Sequence, residues 1–218
     1  MPSLIYIADP MCSWCYGFSS ELRALMDGLP GLRLEIVVGG LRAYNTVPMD
    51  DALRSKLQNA WTQVAARTGL SFSSSALDRK DFIYNTEPAC RAVVAARMLA
   101  PSACLAVFEA IQKAFYVEGK DTTQTDVLCE IAAGTIAAAG ISMDAQTFLV
   151  TFKSEAAVMA TYHDIEQTKR WKVQGFPTLV LERDGALDLV TSGYVTMPEL
   201  VERLQALVDT EAGETASA

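Results

Sequence analysis

Two thiols with one helical turn between them carry the most pointed chemistry in this chain. Cys12 and Cys15 lie in the stretch Asp9-Pro10-Met11-Cys12-Ser13-Trp14-Cys15-Tyr16-Gly17-Phe18. At that spacing the two sulfurs can close a disulfide, and the pair can cycle between dithiol and disulfide. Upstream, Leu4-Ile5-Tyr6-Ile7 is an apolar run of strand length, and downstream Leu22, Leu25, Met26 and Leu29 recur at the i, i+3, i+4, i+7 spacing of an amphipathic helix. The cysteines therefore fall at a helix N-terminus. Unpaired backbone N–H groups and the positive dipole end favour an anion there, and with it a thiolate. The competing reading of a lone CxxC is half of a zinc site, which needs further ligands. No second CxxC or Cys/His pair is present and His163 is the single histidine. Redox chemistry is what the pattern supports.

The elements that must position the pair follow from periodicity. Leu32, Leu34, Ile36 and Val38 alternate with polar or charged neighbours before Gly39-Gly40, which reads as a strand with a glycine stop and completes a β-CxxC-α-β unit. From Leu41 to Ser154 helical periodicity dominates, broken by polar loops at Ser71–Asp81 and Glu118–Thr125. Thr86 with Pro88 opens a helix through Leu99 that Pro101 ends, and further helices centre on Leu105–Phe115 and Leu128–Ile136. A helix over Glu155–Trp171 leads into Gly175-Phe176-Pro177-Thr178 and a strand at Leu179-Val180-Leu181. Asp184-Gly185 turns the chain into a returning strand over Leu187–Thr191. Thr196 and Glu199 form a capping box for a closing helix with Leu200, Leu204, Leu207 and Val208 on its apolar face. The expectation is an α/β fold in which residues 1–40 and 155–210 form one domain, 41–154 an inserted all-helical subdomain, and 211–218 a tail without apolar content.

Composition narrows the function classes. Half of the 218 residues are hydrophobic, enough for a sizeable core. The formal net charge of -8 and the lack of basic patches argue against nucleic acid or an anionic membrane as partner. An anionic small ligand would need a local pocket. No apolar run reaches the length of a membrane span, and no basic stretch with an apolar segment and cleavage site opens the chain. Five cysteines leave one unpaired under any pairing, so a structural disulfide framework is not expected and a reducing, cytoplasmic setting is.

The element order, the CxxC and Gly-Phe-Pro-Thr before the third strand resemble the thioredoxin superfamily, and the helical insertion resembles its DsbA family. With Asn85-Thr86-Glu87-Pro88-Ala89-Cys90-Arg91, these motifs are similar to the cytosolic, FrnE-like branch of disulfide oxidoreductases. The resemblance implies a thioredoxin-like fold and a cis Pro177 beside the two cysteines. It further implies Cys12 as the nucleophile and Cys15 as the resolving thiol, and a Phe176 backbone free to pair with a peptide or glutathione, with Thr178 and Trp14 beside it. No resident cofactor is implied; glutathione is a candidate co-substrate, and the partner is a thiol- or disulfide-bearing protein or glutathione itself. Many relatives carry a buried carboxylate six residues before the nucleophile, where this chain has Tyr6. Asp9 is the nearest acid and the candidate proton acceptor, with water as the alternative.

Other residues have plainer readings. Cys104 and Cys129 fall on apolar helical stripes as core thiols, and Cys90 is either core or turned toward the site. Tyr16 and Phe18 read as structural, Trp14 as either first-turn filler or a substrate wall, and His163 as a surface or capping residue. Trp61, Trp171, Tyr44, Tyr84 and Tyr116 are assigned no role. Two other functions share the pattern: a glutathione-dependent isomerase or transferase of the kappa-class or hydroxychromene carboxylate isomerase type, and a non-enzymatic, chaperone-like binding module. The second thiol, Cys15, counts against the former, which uses a single serine or cysteine.

Overall fold

The computed structural model describes residues 2–215. The chain runs β1 (Ser3–Ala8), α1 (Ser13–Gly28), β2 (Arg33–Val38), α2 (Asp51–Thr68), α3 (Glu87–Leu99), α4 (Cys104–Tyr116), α5 (Thr125–Ala138), α6 (Ala145–Phe152), α7 (Glu155–Arg170), β3 (Thr178–Arg183), β4 (Ala186–Ser192) and α8 (Met197–Thr215). The sheet order is β2-β1-β3-β4. β1 pairs parallel with β2, as the crossover through α1 requires, and antiparallel with β3, which forms a hairpin with β4. At the hairpin tip Asp184 and Gly185 both take positive φ, 49° and 85°, the geometry that a two-residue turn needs. The result is a thioredoxin-like sheet with helices α2 to α6 inserted between β2 and α7.

Alternation along β1 divides the interior. Leu4, Tyr6 and Ala8 face a continuous core shared with Phe18, Leu22 and Leu25 of α1, with Leu200 of α8, and with the buried faces of α3 to α6. Ile5 and Ile7 face the other way, joining Val37 under Trp171, Val173 and Phe176. The inserted helices thus share one core with the sheet. An ion pair ties them further: Arg97 of α3 grips Asp164 of α7 through two hydrogen bonds of 2.9 and 3.1 Å, and Asp164 also accepts the Val38 N–H at 3.0 Å. This half-buried clamp fixes the end of β2 from both sides.

Local signals explain the helix boundaries. Asp50, Asp144 and Ser154 accept N–H groups in the first turns of α2, α6 and α7, and Gly69 ends α2 in the left-handed region at φ 74°. Glu199 reaches back to the Thr196 N–H at 2.7 Å, closing the box at the start of α8. The polar loop after α2 holds a short 3-10 turn at Ser74–Ala76. The tail expected from residue 211 is helical as far as Thr215, since Glu and Ala sustain a helix without an apolar face. Positions 216–218 of that tail lie outside the described residues.

The two glycines after β2 have separate reasons. Gly40 adopts φ 64°, and a Cβ on Gly39 would lie 2.1 Å from the Phe176 ring. The chain leaving β2 therefore passes directly beneath the residue that precedes Pro177. Gly39→Ala is expected to displace Phe176 and to lower stability by about 1–3 kcal/mol, the usual cost of overpacking. Thermal unfolding checks this, and an unchanged midpoint would mean that the Phe176 ring moves aside freely.

Candidate active site

Cys12 is the N-cap residue of α1, and its backbone carbonyl accepts the first intrahelical bond from Tyr16 at 3.0 Å. Cys15 follows one turn on. Both are free thiols, as are Cys90, Cys104 and Cys129. Cys12 retains 7% of its surface and Cys15 none, so Cys12 is the more accessible of the two thiols. Even so, little of it is open. The reason is the loop before β3, where the Phe176–Pro177 bond is cis and the Cys12 thiol donates to the Phe176 carbonyl at 3.7 Å.

The other residues of that loop divide between surface and support. Pro177 is buried, with its carbonyl accepting the Gly193 N–H at 2.7 Å. Thr178 is also buried; its hydroxyl donates to the Gly175 carbonyl at 2.8 Å and its backbone opens β3. Thr178 is placed to hold the loop, while Phe176, whose carbonyl accepts from the Cys12 thiol, borders a groove. That groove, of about 500 Å³, is lined by Trp14, Phe176, Gly193 and Tyr194 together with Gln63 and Arg67 of α2. Trp14 forms a wall, its ring 6.0 Å from that of Tyr194. Gln63, Arg67 and Tyr194 have no motif in the sequence; only tertiary packing brings α2 to the segment before α8.

Beneath the cysteines lies a buried polar shell. Asp9 is fully buried, and its carboxylate accepts the Met11 N–H at 2.8 Å through one oxygen and the Leu41 N–H at 2.7 Å through the other. The Cys90 thiol donates to that second oxygen at 3.5 Å. Burial raises the Asp9 carboxyl above its ordinary value, and hydrogen bonds from Thr86, Met11, Leu41 and Cys90 offset part of this. Cys90 therefore belongs to the support of the active-site turn. Tyr84 reinforces the same turn by donating its hydroxyl to the Met11 carbonyl.

Tyr6, at the position where relatives carry an acid, packs its ring 5.6 Å from Phe108 and 5.9 Å from Phe18. Its buried hydroxyl lies near the Cys15 thiol. Burial pushes the Tyr6 phenol well up, followed by the charges of Cys15 and Cys12. Cys104 and Cys129 are core thiols, and burial raises the former to about 12. His163 lies on the surface against Tyr162; Tyr44 is exposed; Trp61, Tyr84 and Tyr116 are core; Trp171 covers the far face of the sheet. Among the described residues no cluster of His, Cys, Asp and Glu has metal-binding geometry.

Burial is the first cause that pushes the Cys15 thiol well above its ordinary value, with the hydrogen bond and charge of Cys12 adding to it. Cys15 is thus protonated at neutral pH, and below its shifted value each unit of rise in pH multiplies the thiolate fraction by about ten. When Cys12 is held in a mixed disulfide its charge is gone, but the burial remains. The rate at which Cys15 releases the second thiol from such a mixed disulfide is expected to rise with pH past the ordinary thiol value of about 8.5. Stopped-flow thiol release measures it, and a plateau below that pH would contradict the assignment.

Comparison with known proteins agrees with this architecture. A family model described as thioredoxin matches residues 5–188. A structure from Nitrosomonas europaea, described as a candidate protein disulfide isomerase, is 32% identical with a TM-score of 0.85, covering 96% of this chain and 98% of that one. The cytosolic disulfide reductase DsbM from Pseudomonas aeruginosa is 28% identical with a TM-score of 0.75 over the same shares, and it has also been solved with GSH. The ClpXP adapter protein SpxH of Bacillus subtilis is 27% identical over 183 residues, 82% of this chain and 58% of that protein. The chain therefore spans about three fifths of the length of the curated relatives it matches. With its CxxC at the N-terminus of α1, its Pro177 loop beside Cys12 and its helical insertion, the chain belongs to the thioredoxin family and shares the architecture of the DsbA-type oxidoreductases.

Proposed function

We propose that the protein is a thiol-disulfide oxidoreductase or isomerase in which Cys12 is the nucleophile and Cys15 the resolving thiol. The observation that carries this is the placement of Cys12. It caps α1, keeps a small exposed surface where Cys15 has none, and sits 3.7 Å from the carbonyl of Phe176, a residue of the groove wall, while its partner Cys15 lies one turn deeper and fully buried. The Cys12 thiolate attacks one sulfur of a substrate disulfide; that S–S bond breaks, and the departing thiolate takes up a proton. The Cys15 thiolate then attacks the Cys12 sulfur, forming the Cys12–Cys15 disulfide and releasing the second substrate thiol. The cycle is reversible and uses no resident cofactor.

Asp9 has both oxygens occupied by backbone donors, which supports a positioning role in which the Cys15 proton leaves through water or the departing thiolate. Protein disulfides and glutathione are both candidate substrates, and the DsbM structure with GSH supports the latter. The cytosolic setting of DsbM and the five free cysteines support a cytoplasmic location. One observation favours a second, binding role of the kind named for SpxH. On the far face of the sheet an apolar groove of about 390 Å³ is lined by Ile7, Trp171, Val173, Leu187 and Leu189, with Leu189 61% exposed.

Serine variants test the assignment. With glutathione disulfide, Cys15→Ser is expected to accumulate as the Cys12 glutathione adduct, and Cys12→Ser to form no adduct above background, both read by mass spectrometry. A Cys15→Ser protein with undiminished turnover would favour the single-thiol, glutathione-dependent isomerase or transferase reading. A double variant that still binds a client protein would add the binding role.

A further inference from the structure

The protein as a whole repels anions, with a formal net charge of -8. An anionic substrate of Cys12 therefore needs positive charge placed locally, and the groove walled by Trp14 and by Phe176, whose carbonyl accepts from the Cys12 thiol, contains it. Among the described residues that line the groove, Arg67 is the one cation. Its guanidinium lies 5.7 Å from the centre of the Tyr194 ring. Tyr194 is itself held, donating its hydroxyl to Glu21 at 3.0 Å and lying against Trp14.

Glu199 feels the charge of Arg67, but neither it nor Glu21 forms an ion pair with the guanidinium. Glu21 accepts the Tyr194 hydroxyl and the Met197 N–H, and Glu199 accepts the Thr196 N–H and hydroxyl. No ion pair or hydrogen bond of Arg67 occurs among the described residues. Arg67 lines the groove, and its planar fork of donors is suited to a carboxylate. Gln63, one turn earlier on the same face of α2, adds a neutral amide to that wall. Arg67 also stands in the last turn of α2, where a cation suits the helix dipole. A purely dipolar role would be indifferent to the substrate.

We propose that Arg67, with Gln63 beside it, forms an anion subsite that selects small disulfides and thiols carrying a carboxylate within reach of the reacting sulfur. The inference rests on the dithiol reading for its catalytic consequence, but the subsite itself can be tested without redox chemistry. In the reaction, the carboxylate anchors on α2 while the substrate sulfur approaches Cys12 between Trp14 and Phe176. The bonds made and broken are those of the exchange already described: one substrate S–S bond is replaced by Cys12–Cys15, and two substrate thiols are released.

The experiment compares reduced wild type and Arg67→Gln in single turnover with two disulfides, glutathione disulfide, which carries carboxylates, and hydroxyethyl disulfide, which is neutral. Arg67→Gln is expected to slow the first about twofold to fivefold, within the range for an exposed charge pair, and to leave the second unchanged. Added salt should narrow the preference of the wild type and not that of the variant. Equal effects on both disulfides, or none on either, would overturn the proposal. Equilibrium binding of S-methylglutathione, an unreactive thioether, separates the two failures. If no Cys12–Cys15 disulfide forms with either substrate yet Arg67→Gln weakens S-methylglutathione binding by the same factor, the subsite holds and the dithiol reading falls. Equal binding by wild type and variant overturns the subsite itself.

Discussion

The buried carboxylate of Asp9 is the constraint on which the site depends. An ionised carboxylate with no water around it is costly unless donors surround it. Here the donors come from separate parts of the chain: Met11 in the turn before α1, Leu41 in the loop after β2, and Cys90 on α3. Satisfying one group therefore locks the N-cap turn of Cys12 to both the sheet and the insertion. Gly39 and Gly40 are the local condition for it, because only a bare, left-turning segment lets Leu41 reach Asp9 beneath Phe176. The polar shell beneath the cysteines is as much a product of the inserted helices as of the sheet.

This coupling divides labour within one core. The sheet and α1 supply the reacting sulfurs, their depth and the Pro177 loop. The insertion supplies part of the groove wall, Gln63 and Arg67 on α2, and what holds the turn, Tyr84 on the Met11 carbonyl and Cys90 on Asp9. The Arg97–Asp164 clamp ties α3 and α7 to the end of β2. A change of substrate preference can thus arise on α2 without touching the chemistry on α1.

What could be read from the sequence was what nearest neighbours decide. Alternation marked β1 and β2, Asp184-Gly185 marked the hairpin, Thr196 with Glu199 marked the start of α8, and the CxxC marked its own chemistry. Groups whose meaning comes from distant partners were less legible. Thr178 sits in a motif that suggests substrate contact, yet its hydroxyl is turned to Gly175. Asp9 is the acid nearest Cys12 in sequence, but the Leu41 N–H that fills its second oxygen lies 32 residues away. Arg67 and Tyr194 meet across most of the chain, and no periodicity encodes that contact.

The account as a whole rests on Cys12 and Cys15 acting as one redox couple in the folded protein. Equilibration of the protein in glutathione buffers of graded composition, with alkylation and mass spectrometry to locate each free thiol, tests this most directly. The account predicts a reversible, two-electron passage between dithiol and the Cys12–Cys15 disulfide, with Cys90, Cys104 and Cys129 remaining reduced throughout. A Cys12 that stays reduced, or that accumulates only as a glutathione adduct while Cys15 remains a free thiol, would contradict it.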